Sequence, residues 1–251
     1  MKTTLVAFAL VVALSLSASA ANKKPSIHRA GSDIADPAAP PTVAPPALCS
    51  PCLFYGGDLN TSSSNAAGMS DENTLLITGG SSTYGAVNIP TGTTANVYGI
   101  LYNVQADAAF DPQTASYDIR TGVSEGNGGT SIASGSGTAV VQATGRNFLG
   151  LYEYTIAVSW ATPVTLTAGE YWFNATPNCT NTLDGSCYVF RQFVSNTTSQ
   201  ANGVHAGWQP AHEMFLNSSF FGFTWANWCD SSLGFNQYQC GFLSFGLRGT
   251  E

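Results

Sequence analysis

Cations are what this sequence has least of. Among 251 residues there are 8 Lys and Arg against 15 Asp and Glu, a net charge of −7, and charged residues make up only 9% of the chain. The last lysine is Lys24, and from residue 49 onward the cations are Arg120, Arg146, Arg191 and Arg248 alone. A protein that neutralises nucleic-acid phosphates needs clustered Lys and Arg, so nucleic acid is excluded as a partner. The same shortage speaks against anionic membranes and against any mechanism built on a lysine nucleophile. Long apolar runs are also missing past the first twenty residues. Ser, Thr, Asn, Gln and Gly must therefore carry the surface.

The start of the chain reads as an export signal. Lys2 gives the positive end, Leu5 to Leu16 is apolar except for Ser15, and Ala18-Ser19-Ala20 fits a small-residue cleavage site. That run is about a dozen residues, short of the roughly 20 that cross a bilayer. Residues 21–48 then hold Pro25, Pro37, Pro40, Pro41, Pro45 and Pro46 among Ala, Ser and Asp. So little apolar surface cannot offset ordering entropy, and the segment reads as an extended, disordered spacer. Residues 49–251 remain, enough for a single domain with a sizeable core. The expected location is extracellular or at the cell surface, without direct membrane insertion.

Cysteine usage agrees with that compartment. The six cysteines fall into three sequence-local pairs, Cys49 with Cys52, Cys179 with Cys187, and Cys229 with Cys240. Six allow 15 connectivities, and local pairing is the expectation. Closing such short loops stabilises by roughly 2.5–3 kcal/mol each in the chain-entropy picture. Cys49-Ser50-Pro51-Cys52 has the spacing of a redox motif or half a zinc site. It follows a spacer instead of opening a helix, so a structural disulfide is the reading.

From Thr74 on, apolar residues recur with period two, the mark of strands with one buried face. In Leu151–Trp160, Tyr152, Tyr154, Ile156, Val158 and Trp160 share one side, with Glu153, Thr155, Ala157 and Ser159 on the other. Tyr98, Ile100, Tyr102 and Val104 share a parity, as do Leu243, Phe245 and Leu247. Further strands are expected at Tyr84–Ile89, Thr138–Thr144, Pro163–Thr167, Glu170–Ala175, Cys187–Ser195 and Met214–Trp225. Turn signals at Pro90-Thr91-Gly92, Asn127-Gly128-Gly129 and Ala168-Gly169 separate them. The fold class is all-β: an antiparallel β-sandwich, jelly-roll-like, with local disulfides. A closed barrel is the alternative.

Two segments resemble a known group. Val164-Thr165-Leu166-Thr167-Ala168-Gly169-Glu170-Tyr171-Trp172-Phe173 resembles a hairpin of secreted bacterial jelly-roll-like β-sandwich modules of the variable-anchor (choice-of-anchor) type. Leu243-Ser244-Phe245-Gly246-Leu247-Arg248-Gly249 is similar to their closing strand. The resemblance implies an exported module and brings no catalytic residue with it.

Candidate sites are few. His205, His212 and Glu213 form one histidine cluster, but His212 and Glu213 are adjacent and in a strand face opposite ways. The Gly- and Ser-rich stretch Gly122–Gly137 has no lysine for a phosphate loop, and Gly129-Thr130-Ser131-Ile132-Ala133 lacks the closing glycine of a nucleophile elbow. It reads as a long flexible connection. Asn60, Asn174, Asn178, Asn196 and Asn217 begin glycosylation-type triplets, frequent by chance in so polar a chain. The C-terminal aromatics carry more. Trp208, Trp225, Trp228 and Tyr238 sit among Asn, Gln, Ser and Gly, and a ring face beside amides suits a sugar. The bland account places the rings in the core. No cofactor or metal is implied. The functional expectation is a non-enzymatic extracellular module for surface structure, adhesion or polysaccharide binding, its partner a polysaccharide or cell-surface component. The alternative is a secreted hydrolase, glycosidase or peptidase, using a carboxylate pair such as Glu153 and Glu170.

Overall fold

A computed structural model describes residues 45–57, 67–69, 81–106, 110–148, 151–178, 189–195, 208–218, 222–227 and 242–251. Its strands are β1 (Cys52–Tyr55), β2 (Ala67–Met69), β3 (Ser82–Ala106), β4 (Thr114–Thr121), β5 (Thr130–Phe148), β6 (Leu151–Pro177), β7 (Val189–Ser195), β8 (Gln209–Ser218), β9 (Phe223–Asn227), β10 (Phe242–Leu243) and β11 (Phe245–Thr250). The protein is all-β and antiparallel. Among the described residues the one helical element is a three-residue turn, Ala47–Cys49.

Two strands organise the rest. β3 and β6, of 25 and 27 residues, pair from Gly85 opposite Phe173 to Ala106 opposite Tyr152. Their ladder changes register between Ile89 and Thr94 and again between Val97 and Gly99. The sequence suggests separate short strands here, divided by turns at Pro90-Thr91-Gly92 and Ala168-Gly169. The structure runs them together, so the stretch resembling a hairpin at Val164–Phe173 is continuous strand. Proline and glycine mark an irregular bend instead of a reversal: Gly92 has φ 85°, and Gly169 lies opposite Ile89 at the register change. Such irregularities let a strand turn a corner and pass from one layer into another.

The bend divides the ribbon into two limbs. The first is flanked by β8 and β4, the second by β11 and β5. β5 serves both, pairing with β4 up to Thr138 and with β6 beyond it. One hydrogen-bonded sheet thus contains both limbs. The limbs meet over a single core: the Tyr102 hydroxyl donates to the Phe173 carbonyl at 2.8 Å, and the Phe245 ring lies 5.7 Å from Tyr102 and 6.4 Å from Phe173. Ile100, Val104, Ile156, Val158 and Leu247 fill the same core. Fully burying side chains of this size stabilises by about 1.5–3 kcal/mol each.

Each limb also hides part of its outer face. On the second, Cys49, Tyr55, Leu101 and Ala157 form a small cluster with Leu48 and Cys52 against it. The N-terminal segment 45–55 covers that face, clipped by a Cys49–Cys52 disulfide. The expected spacer, drawn to residue 48, therefore overlaps the folded body at residues 45–48. On the first limb, Tyr84, Ala86, Val123, Trp172, Phe215 and Trp225 form the corresponding cluster. This second burial corrects the period-two reading of β6. Glu153, Thr155 and Ala157, assigned outward, are buried, whereas Tyr152, assigned inward at the strand's start, is 48% exposed.

Cys179, Cys187, Cys229, Cys240, Trp228, Tyr238 and His205 lie outside the described residues. For His212 and Glu213 only the backbone, in β8, is described.

Candidate functional site

The covered outer face of the second limb holds a cleft. Its residues come from one row across three strands, Asn103 opposite Thr155 and Thr155 opposite Gln142. Strand alternation puts all three on the side facing away from the main core. Asn103 and Thr155 are buried and make the floor with Tyr55, while Gln142 and Ala143 are exposed at the rim. Pro46 and Ala47 of the N-terminal segment add a wall, and the cleft encloses about 310 Å³.

The floor is a closed hydrogen-bond network. Asn103 Nδ2 donates to the Tyr55 hydroxyl at 3.1 Å and to Ser244 Oγ at 2.7 Å. Asn103 Oδ1 accepts from Thr155 Oγ1 at 2.7 Å, and Ser244 Oγ donates to the Gly57 carbonyl at 2.6 Å. A buried amide with both ends engaged is fixed in orientation. β1, β3, β6 and the Ser244 junction are thereby held in one geometry.

Beside the floor sits a half-buried ion pair. Between Ala143 and Asn147 the β5–β6 ladder shifts register, with Gly145 at φ 81°. That irregularity brings Thr144 and Arg146 over Glu153, whose side chain is 0% exposed. Arg146 Nη2 donates to Glu153 Oε1 at 2.7 Å, Arg146 Nε donates to Oε2, and Thr144 Oγ1 donates to Oε2 at 2.8 Å. The two-pronged guanidinium fits the carboxylate and neutralises it in place. Glu153 and Glu170, the acids named for a hydrolytic alternative, stand at opposite ends of β6. One is buried beneath Arg146, and the other is exposed opposite Asn88.

The aromatic expectation meets a different outcome for the two rings that are described. Trp208 is fully buried, and its indole N–H donates to Glu251 Oε1 at 2.6 Å. Trp225 is 9% exposed. Its ring lies 4.7 Å from that of Tyr84, and the Arg120 guanidinium sits 4.8 Å above it. Neither offers a free face to a sugar, because each fills space that the sheet would otherwise leave empty. Of the stretch Gly122–Gly137, read from sequence as a flexible connection, Thr130–Gly137 is instead strand, the start of β5 paired with β4, and the part before it is the cover of Trp225. Gly126 N–H donates to the Trp225 carbonyl at 3.0 Å, Arg120 Nη1 donates to the Gly128 carbonyl at 2.8 Å, and a Cβ at Gly128 would overlap the indole.

Asp118 anchors this second cluster. It accepts from the Tyr84 hydroxyl at 2.9 Å, from Ser131 Oγ at 2.5 Å and from Arg120 Nε. Burial, then the charge and hydrogen bond of Asp118, raise the Tyr84 hydroxyl far above its ordinary value of 10.0. Burial opposes the Arg120 charge, yet its bond and attraction to Asp118 outweigh that and hold Arg120 above its usual value. The unfolded chain can lose the Tyr84 proton near pH 10 while the folded chain keeps it. Stability is therefore complete below pH 10 and falls as the pH rises past it, by up to about 1.4 kcal/mol per unit. Tyr84→Phe is expected to flatten this alkaline fall in denaturant midpoints measured between pH 9 and 12. An unchanged slope assigns the fall to other groups.

Sequence reasoning missed the cleft. Asn103 and Thr155 are ordinary outward strand positions until the N-terminal segment covers them. One signal was available: Arg146, one of four cations after residue 49, follows Gly145 directly, and an isolated cation beside a glycine in a strand suggests a bulge with an acid nearby. Among the described residues no group of three His, Cys, Asp or Glu converges as metal ligands, and no helix is long and apolar enough to cross a membrane. Comparison with protein-family models, with curated proteins and with solved structures gives no match.

Proposed function

We propose that the chain is a non-enzymatic, exported β module of surface structure or adhesion whose outer-face cleft holds a segment of polysaccharide. The observation that carries this is the chemistry of the cleft. The exposed amide of Gln142 rims it, the neutral and mutually bonded Asn103, Thr155 and Tyr55 shape its floor, and Arg146, the cation that lines it among the described residues, is paired with Glu153. A surface of neutral donors and acceptors matches the hydroxyls of a neutral sugar, and about 310 Å³ is at the small end of ligand pockets. The leader-like first twenty residues and the paired cysteines support an oxidising compartment outside the cytoplasm.

Pull-down against insoluble cell-wall and plant polysaccharides tests the reading. Gln142→Ala removes the exposed amide at the rim and is expected to weaken retention by up to about tenfold, the worth of one hydrogen bond. Trp228→Ala is the matched comparison for the aromatic surface. Loss with Trp228→Ala but not with Gln142→Ala moves binding away from the cleft. No retention on any polymer ends the carbohydrate reading.

A further inference from the structure

One stretch of the sheet has no neighbouring strand on one side among the described residues. β4 covers β5 only as far as Thr114 opposite Thr138, and beyond that β5 pairs with β6 on one side. The last bond on the other side runs from Ala139 N–H to the Gln113 carbonyl at 2.9 Å, and no strand among the described residues follows it. In an antiparallel ladder alternate residues turn their N–H and C=O to the same side. Val141 and Ala143 therefore face the way Ala139 does, toward the open edge.

Sheet edges are ordinarily guarded by charge, proline or a bulge. From Thr130 to Gly145 this chain has no charged residue and no proline. Val140 is 51% exposed and Ile132 42%, so among the described residues two of the three exposed large apolar side chains lie on this strand. The guard appears only afterwards, with the irregularity at Gly145 and the charge of Arg146. The unguarded stretch is Val140 to Thr144.

We propose that two copies of the chain pair along this edge, β5 against β5, about a twofold axis at Gln142. The outward groups fix the register. Val141 of one copy lies opposite Ala143 of the other, with about four backbone hydrogen bonds between them. The two Gln142 residues face each other on the axis, and each Val140 meets a Thr144. An isologous contact requires such self-complementarity, and the stretch reads suitably in both directions around Gln142. Charge favours a second copy here. A net charge of −7 keeps copies apart over most of the surface, and this neutral run is where that repulsion is weakest. Gln142 also rims the cleft, so pairing brings two clefts to a common axis, where one polymer could engage both.

Sedimentation equilibrium of the purified protein over a wide concentration range is the test, with an expected monomer–dimer equilibrium. Ala143→Pro removes only an N–H that faces outward, a position where an edge strand tolerates proline. It is expected to weaken dimerisation at least tenfold while the far-ultraviolet circular dichroism stays that of the parent. Gln142→Cys is expected to cross-link between copies under mild oxidation, since directly opposed Cβ atoms lie about 4.5–5.5 Å apart; Thr138→Cys, off the axis, is not. A protein that stays monomeric at every concentration overturns the proposal. So does a dimer that survives Ala143→Pro, or a Gln142→Cys variant that fails to cross-link. Binding of an unrelated extended peptide by the monomer would assign the edge to a different partner. None of these outcomes depends on the polysaccharide reading.

Discussion

Arg146→Ala is expected to destabilise the protein by about 3–5 kcal/mol, the range for leaving one member of a buried ion pair without its partner. The side chain of Glu153 is 0% exposed, while that of Arg146 is 36% exposed. The asymmetry decides which variant is worse. Without Arg146, a carboxylate remains in a place water does not reach, held by Thr144 Oγ1 at 2.8 Å among the contacts shown. Without Glu153, the guanidinium can turn toward solvent, so Glu153→Gln should cost less. Arg146→Lys should fall between, since an ammonium cannot reproduce the two-pronged contact. The double variant Arg146→Ala with Glu153→Gln should recover part of the loss. Urea unfolding midpoints at constant slope measure all four. A loss below about 1 kcal/mol for Arg146→Ala would show the pair to be a surface contact in energetic terms.

Trp225→Ala should cost about 3–5 kcal/mol, as expected for emptying a buried aromatic site. Its backbone supplies a sharper test. Trp225 has φ 48°, a left-handed conformation that a side chain disfavours by roughly 1–2 kcal/mol and glycine does not. Trp225→Gly should therefore be more stable than Trp225→Ala, although it removes more atoms. In an ordinary strand the order is reversed. Both variants should also free the segment around Gly126 and Gly128, seen as faster amide exchange at Gly126, which donates to the Trp225 carbonyl. If Trp225→Ala instead leaves stability unchanged and abolishes polysaccharide retention, the ring is a ligand platform after all.

What was legible in the sequence follows from which signals are local. Alternation at Ile100, Tyr102, Val104 and at Ile156, Val158 is local, and it identified the strands and their buried side. The close spacing of Cys49 and Cys52 made their bond readable in the same way. Continuity of β3 and β6 was not legible, because Pro90-Thr91-Gly92 serves a reversal and a bend equally well; the partner strand decides between them. The burial of Thr155 and Ala157 was hidden for a related reason. It depends on the segment 45–55 folding back over a face that alternation assigns to solvent. Trp225 misled because aromatics among Asn and Gly look alike in a sugar platform and beneath a loop, and only the left-handed backbone and Arg120 above the ring separate the two.

The pairing of β1 with β11 has a consequence for the order of assembly. Cys52 lies opposite Arg248 and Tyr55 opposite Gly246, and Gly249 N–H donates to the Pro51 carbonyl at 3.2 Å. An early stretch of the folded body thus takes its place only against one of the latest, and closing so long a loop is slow. During vectorial emergence the cleft's wall waits for residues 245–250, against which β1 pairs. A chain cut before residue 245 would lack the strand that seats this wall, even with Asn103, Gln142 and Thr155 already in place.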